Sequence, residues 1–470
     1  MSLLEENQRT LQNLFPNYEK NSDKRDVLTE TQRLFDNLPP SIMDYQKNSW
    51  CKWRMSTKFK TDYSYGPSLI VNDDGQVVPD WYEKLQQEMS RLKKRIRKEV
   101  SVTDFGAVGD GVTDCTKAFK RALAFGSRKV NVPEGIFIVK GIKLPSNTIL
   151  VGAGSTETTI KLHREAPKSQ RLITNKQPVF GNHHIQIEQV MLDWNVERLE
   201  SFESTAAGGT ASSGVTLAHV KYAVVRNVVI QNPGLHGIDI TAPYYSYLGD
   251  GTRSRGGSEY IWLDQIEAYG YGDDGITTHH SQNILISHSY LHHPSGRAHE
   301  LGYSNSNGIE VDDGSQHVSL VNNRTAYGFG GIEIKAHETS SAASDTQIFG
   351  HFSFHDNRSY NFRHIGHHKG EDALSCSAYG IRGSFLAAYF PQKTDLYVES
   401  TPRGLVVSAY HQVVINYFVG RDNLDKQADK IAIAVQYRAG NVVLRHINLR
   451  NYGYAKQPIR ISKETKNIEY

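Results

Sequence analysis

A short pattern, Gly followed by an aliphatic residue at the head of a β-branched stretch, returns along the chain. It stands as GVTL at Gly214, GIDI at Gly237, GITT at Gly275, GIEV at Gly308, GIEI at Gly331, GIRG at Gly380 and GLVV at Gly404. The shortest step is 23 residues, from Gly214 to Gly237 and again from Gly308 to Gly331, with 24 from Gly380 to Gly404. Gaps of 38 and 33 residues, after Gly237 and Gly275, read as one step plus an inserted loop, and the 49 after Gly331 as two steps. Second strands of a common type lie between: KYAVVRNVVIQN, SQNILISHS, SQHVSLVNN, YHQVVINYF and GNVVLRHINL. No helical periodicity interrupts them. A repeat of this length, made only of strands and turns, buries its apolar face by stacking on its neighbours, which describes a parallel β-helix. A β-sandwich would show hairpin turns instead of one in-phase Gly motif. The expectation is a mainly β chain forming a right-handed parallel β-helix.

Such a solenoid needs its open end covered. The text from Ser101, SVTDFGAVGDGVTDCTKAFKRALAFG, supplies a strand, a Gly-Asp turn and a capping helix expected over about 114–125, with Thr113 or Asp114 as N-cap and Gly126 as stop. Residues 1–100 are different: amide-rich helical text such as LLEENQRTLQNLF, a break at Pro39-Pro40, then DWYEKLQQEMSRLKKRIRKEV. In that last piece Tyr82, Leu85, Met89, Leu92 and Ile96 fall on a and d positions. They read either as one amphipathic surface helix or as a short coiled-coil stem over about 80–99. The expected organisation is a small helical N-terminal region, 1–100, and a β-helix catalytic domain, 101–470.

Composition narrows the partners. Lys and Arg number 53 against 50 Asp and Glu, and no aromatics interleave with the basic run RLKKRIRK, so no nucleic-acid partner is expected. No stretch approaches the ~20 apolar residues of a membrane span, and MSLLEENQRT lacks a signal layout. Cys51, Cys115 and Cys376 are too few and too scattered for a disulfide or zinc framework. A chain folded in a reducing cytoplasm, without membrane insertion, is expected.

Side chains alternate between the two faces of a strand. With Ile238, Ile276, Ile309 and Ile332 pointing in, Asp239, Thr277, Glu310 and Glu333 point out, and two residues on so do His279, Asp312 and Lys335. Neighbouring rungs stack ~4.8 Å apart. One outward patch therefore gathers Asp239, His279, Glu310, Asp312, Glu333 and Lys335, with Asp273 and Asp274 at its edge and His337 beyond Lys335. Like charges facing across strands destabilise a sheet, so this column reads as a site mounted on the fold. Asp273, Asp274, Glu310, Asp312 and Glu333 are the catalytic candidates: a crowded carboxylate kept protonated and an ionised partner suit acid–base hydrolysis. Asp313, before Gly314, reads as a turn residue. Loops at 241–260 and 292–306 add Tyr245 for stacking and Arg297 for holding an anion, joining Asp239, His279, Lys335 and His337 as substrate-binding candidates. Tyr244, Tyr247, Arg253 and Arg255 lie on the first of these loops. His279, His280, His292, His293 and His299 group easily by chance among 20 histidines, and no metal ligand is assigned.

DFGAVGDGVTDCTKAF resembles the opening motif of the pectate-lyase-like β-helix family, found in phage tailspikes and polysaccharide-degrading enzymes. Asp273-Asp274 followed by Lys335 resembles in part the polygalacturonase-type hydrolases, whose Asp-Asp pair precedes an R-x-K motif. Glu333 stands at the Arg position here, and no Gly-His-Gly is present. YGDDGITTHHSQNILIS, SNGIEVDDGSQHVSL and GGIEIKAH resemble more specifically the preneck-appendage tailspikes of podophages of Gram-positive bacteria, over about 101–460. That resemblance implies a homotrimer on the virion, made in the host cytoplasm and released by lysis, docked to collar or tail proteins through residues 1–100. It also implies cleavage of phosphodiester bonds in wall teichoic acid, a polyol-phosphate polymer. Three classes stay open: a depolymerase of a cell-wall glycopolymer, a polygalacturonase-like inverting glycoside hydrolase acting on capsule, and a non-catalytic receptor-binding spike. The glycosidase reading needs no cofactor; the phosphodiesterase reading leaves room for a divalent metal.

Overall fold

The computed structural model describes residues 3–39, 59–60, 64–201, 203–245, 247, 249–369, 371–422, 430–450, 452 and 457–470, and Cys51 lies outside them. Eleven short parallel strands form one wall, from Ile142–Leu144 to Ile459–Ile461. Its middle strands are Val215–Ala218, Ile238–Thr241, Ile276–Thr278, Asn307–Val311, Gly330–Ala336, Arg358–His364 and Arg403–Ser408. They pair in register, so that Val215, Ile238, Ile276, Ile309, Ile332, Tyr360 and Leu405 form one fully buried inward column. The parallel β-helix expected from the repeat is the observed fold. The recurring glycine has a steric cause: a Cβ at Gly237 or Gly275 would lie 2.4 or 2.6 Å from a carbonyl oxygen of the next rung.

The other parallel strands join in an 18-stranded sheet whose long members bend. Two residues five apart take positive φ in rung after rung: His184 and Gln189, Tyr222 and Asn227, Tyr260 and Gln265, Gln412 and Tyr417. These left-handed corners turn each strand around the solenoid. Gly380, at φ +81°, is one of them, with Phe385 as its mate. This corrects the repeat. GIRG belongs to the bent wall, and the place between Gly331 and Gly404 is taken by Ser359, followed by the inward Tyr360.

The helices cover the outer face of the bent sheet. Helices α1 (Leu3–Leu14) and α2 (Asn21–Asp36) lay Leu11, Val27 and Leu28, with Phe15 and Tyr18 between them, against Val321, Phe349, Phe385 and Val419. Helix α3 (Tyr82–Arg95) seats Tyr82, Leu85, Met89 and Leu92 in the same apolar layer, beside Val224 and Trp262. The stripe expected to form a coiled-coil stem is thus buried within its own chain, because that sheet face is itself apolar and needs a cover. Nor do the described residues of 1–100 stand apart from the solenoid, which begins inside that range, at Lys98–Ser101. We expect Leu92→Ala to lower the unfolding free energy by about 3 kcal/mol in a urea titration, as for a buried leucine, without changing the mass in solution. A change of oligomeric state instead would restore the stem.

Helix α4 (Thr116–Leu123) plugs the end of the solenoid, as expected, but it is shorter and has Cys115, not Thr113 or Asp114, at the N-cap. The Asp114 carboxylate accepts from the Thr116 backbone N–H at 2.9 Å, and Phe119, Ala122 and Leu123 bury against Phe137 and Leu144. No helix among the described residues is long and apolar enough to cross a membrane.

Candidate active site

The eleven-stranded wall presents the charged column outward. Asp239, Thr277, Glu310, Glu333 and Asn361 lie in strict register on consecutive strands. His279, Asp312, Lys335 and Arg363 follow two residues on. Nearly all of these groups are buried beneath neighbouring side chains and loops rather than splayed into solvent. Such a crowd of buried charge persists only if it is paired.

The pairing runs as a continuous chain of ionisable groups. His236 lies at its centre: Nδ1 is 3.5 Å from Asp239, and Nε2 is 3.5 Å from Asp273 and 3.7 Å from Asp274. On the other side of Asp239, His279 Nδ1 sits 3.1 Å away, and its Nε2 reaches toward Asp312 at 3.9 Å. His299, from the 292–306 loop, lies 2.7 Å from Asp273. Lys335 Nζ is 2.7 Å from Glu310 and 3.9 Å from Asp312, and His337 is 2.9 Å from Asp313 and 3.6 Å from Asp312. Asn307 Nδ2 donates to Asp274 at 2.9 Å and to Glu310 at 3.1 Å, and Thr277 donates to Glu310 at 3.1 Å.

These contacts sort the carboxylates into two kinds. Burial opposes ionisation of Asp273, but His236 and His299 outweigh it and hold the group well below the usual carboxylate range. Burial likewise opposes the charge on Glu310, yet Lys335 keeps it ionised; Asp239 is held low by His279 and His236. Asp274 goes the other way, pushed well up by burial and by the charges of Asp273 and Glu310. Asp312 is pushed up to about 7 by burial and by Asp313 beside it. The cations respond in kind: against burial, the carboxylates raise His236, His279, His299, His337 and Lys335 toward their charged forms. One oxygen of Asp274 and both of Asp312 are buried without a hydrogen-bond partner. Protonatable carboxylates with free oxygens beside ionised ones are what acid–base chemistry needs.

The reading changes at four residues. Glu333 is fully buried and has both oxygens engaged, Oε1 by Arg363 and Oε2 by Asn361 Nδ2 at 3.1 Å, which makes it a positioning residue rather than a catalytic one. Its charge is neutralised by Arg363, which is how the like-charged Glu310 and Glu333 tolerate adjacent strands. Arg363→Leu leaves that buried charge alone, and we expect a loss of about 3 kcal/mol in chemical denaturation. Arg297 does not face the site: its guanidinium donates to the backbone carbonyls of Glu200 at 2.8 Å and Glu203 at 3.3 Å. Arg253, too, is buried, donating to Gln282 at 3.2 Å. Asp313 is more than a turn residue, because it gathers His337, the Tyr245 hydroxyl at 2.7 Å, and Ser340.

Tyr245 roofs the cluster with its ring 4.7 Å from that of His279, while Tyr247 lies over His337 at 4.5 Å and is half exposed. The histidines that looked like one group are divided: His292 and His293 stack with Tyr290 and Tyr327 on the bent wall. His236 was missed in the sequence. It occupies the position before the repeated Gly, where the next rungs carry Asp274 and Asn307, and reading that column would have found it. For a cation, His236 with Asp273 and Asp274, and His279 with Glu310 and Asp312, bring ligand atoms within 4.8 Å of one another, although Lys335 already serves the second group.

Comparison with known proteins agrees with this fold. The family described as Rhamnogalacturonase A/epimerase, pectate lyase-like, matches residues 99–333, half of the chain. The phage-related protein YobO of Bacillus subtilis (strain 168) is 42% identical over 402 residues, covering 85% of this chain and 49% of that protein. The pre-neck appendage protein of Bacillus phage phi29 is 43% identical over 396 residues, covering 82% of this chain and 45% of that protein. The crystal structure of the pre-mature bacteriophage phi29 gene product 12 superimposes with a TM-score of 0.70 at 41% identity, over 77% of this chain and 47% of that one. The chain spans about half the length of the curated relatives it matches. A stacked Gly repeat and a plugging helix thus meet with a sequence match over the solenoid, and the chain belongs to the pectate lyase-like family of rhamnogalacturonase A and the epimerases.

Proposed function

We propose that the chain is the body of a phage appendage depolymerase that hydrolyses a polyanionic cell-wall glycopolymer, wall teichoic acid of a Gram-positive host. The observation that carries the reading is the pairing of protonatable Asp274 and Asp312 with ionised Asp239, Asp273 and Glu310 in one continuous cluster. Asp274 is the general acid that protonates the leaving oxygen. Asp312 is the base that takes a proton from water, since a pKa near 7 matches a neutral working pH. Four imidazoles and Lys335, all raised toward their charged forms, supply positive charge against the negative charge that a phosphate-bearing chain carries. Tyr247 offers an exposed ring beside them.

The reading includes assembly as a homotrimer on the virion, attached to collar or tail proteins through the N-terminal region; the name of the phi29 relative, a pre-neck appendage protein, supports association with the particle. Its test is direct. Purified protein is incubated with Gram-positive cell walls and with extracted teichoic acid, and soluble products are analysed by mass spectrometry. Polyol-phosphate fragments are the expected result. Sugar oligomers with intact phosphodiesters would move the chemistry to glycoside hydrolysis, for which two carboxylates on nearby rungs are equally suited. Binding without product would leave a receptor-binding spike.

A further inference from the structure

We propose that Asp250, His364 and His367 form a structural site for a zinc-class divalent cation that fastens the loop over the candidate active site to the solenoid wall. The three residues come from distant text. Asp250 lies in the 242–252 loop that carries Tyr245 and Tyr247; His364 ends the strand Arg358–His364; His367 lies in the single turn Ile365–His367 that follows. Their ligand atoms converge within 4.8 Å of one another.

His364 is the first sign of a missing partner. Its side chain is fully buried, and neither ring nitrogen makes a hydrogen bond. A buried imidazole with both nitrogens idle is rare, because buried polar groups are almost always satisfied. Its Nε2 stands 3.7 Å from Asp250 Oδ1. His367 supplies the second sign. Its Nδ1 donates to the Ala373 carbonyl, which leaves Nε2 directed at Asp250 Oδ2, 3.3 Å away. Imidazole nitrogens and a carboxylate oxygen are all zinc-ligand types, and here they converge on one point.

The surroundings fit a metal. A histidine ligand usually donates its other ring N–H to a backbone carbonyl, as His367 does, and a ligating carboxylate is itself held by outer donors. Asp250 receives the Cys376 backbone N–H and the Ser377 hydroxyl. Arg438 donates to the His367 carbonyl at 2.9 Å and to that of Asp372, fixing the turn that carries His367. Zinc bonds of about 2.0–2.2 Å in a tetrahedron imply ligand–ligand separations of about 3.4 Å; His364 stands 3.7 Å from one Asp250 oxygen and His367 3.3 Å from the other, each near that figure. Two imidazoles with one carboxylate select zinc over magnesium or calcium, which prefer all-oxygen shells. Nothing in this cluster overlaps the acid–base column, and the inference stands apart from the hydrolase reading.

The test counts metal. The full chain is purified with Zn²⁺ present, desalted, and assayed by plasma mass spectrometry. About one zinc per chain is expected for the wild type, at least tenfold less for His364→Ala and for His367→Ala, and the full amount for His279→Ala. Wild-type protein without zinc would overturn the site and leave a proton-bridged pair in its place. Zinc that persists in both variants, or that falls only in His279→Ala, would overturn it too and move the metal to the acid–base column. If His364→Ala does not fold, the less deeply buried His367 carries the comparison alone.

Discussion

On the proposed hydrolase reading, Asp274→Asn is expected to lower turnover of teichoic acid by about 10²- to 10⁴-fold, the range for loss of a general acid, while the protein folds and still binds the polymer. Geometry explains why so small a change should matter so selectively. Asp274 Oδ1 accepts from the Asn307 backbone N–H and side-chain amide, both at 2.9 Å, and an asparagine oxygen accepts the same two bonds. The other oxygen has no hydrogen-bond partner and faces His236 at 3.7 Å. An amide there mimics the protonated acid in shape and charge, but has no proton to deliver. Because Asp274 is already held protonated by burial and by Asp273, neutralising it for good leaves stability unchanged or slightly higher. The measurement is the rate of release of phosphate-bearing fragments beside polymer binding by the same variant. Unchanged turnover would remove Asp274 from the chemistry and, with it, the acid–base reading of the column.

The sequence carried the wall that bears this site because two periods coincide there. The steric need for Gly before each inward Ile marks the rung, and the alternation of a strand then assigns Glu310 and Asp312 outward without further information. It carried less of the bent wall. There the constraint is a left-handed corner, and residues as different as His184, Tyr222, Gln412 and Gly380 satisfy it, so only Gly380 stood out and was given the wrong place. The role of α3 was legible as an apolar stripe but not as a destination, since Leu85 and Leu92 say only that something apolar faces them; Val224 and Trp262 lie well over a hundred residues away in the chain. At the site, residue type revealed the charges and not their partners. Nothing in the text of Glu333 distinguishes it from Glu310. The difference is that Arg363 faces one and Lys335 the other, and Arg363 arrives from a rung with Ser359 in place of the marker Gly.

Asp312→Asn is expected to be inactive and also more stable than the wild type above neutral pH. Asp312 is fully buried, with its pKa pushed from 3.8 to about 7 by burial and by Asp313. A raised carboxylate binds its proton more tightly when folded than when unfolded, so its contribution favours the fold at low pH. That contribution is fully present below the unfolded pKa and is lost as the pH rises through the folded one. Between about pH 4 and pH 7 the unfolded chain ionises Asp312 while the folded chain resists, and stability falls by up to about 4 kcal/mol at 1.36 kcal/mol per unit. Asparagine, fixed in the neutral state, escapes this loss. The stability gain of the variant over the wild type is therefore small near pH 4, grows through pH 6 and levels off above pH 7, as read from urea titrations at each pH. Turnover of the wild type runs in the opposite sense, rising as Asp312 ionises and can accept a proton from water. A variant less stable than the wild type at about pH 8 would mean that the Asp312 charge, through Lys335 and His337, holds the wall together. A variant more stable and inactive would mean that the fold tolerates this carboxylate against its own interest, which a residue retained for packing has no reason to do.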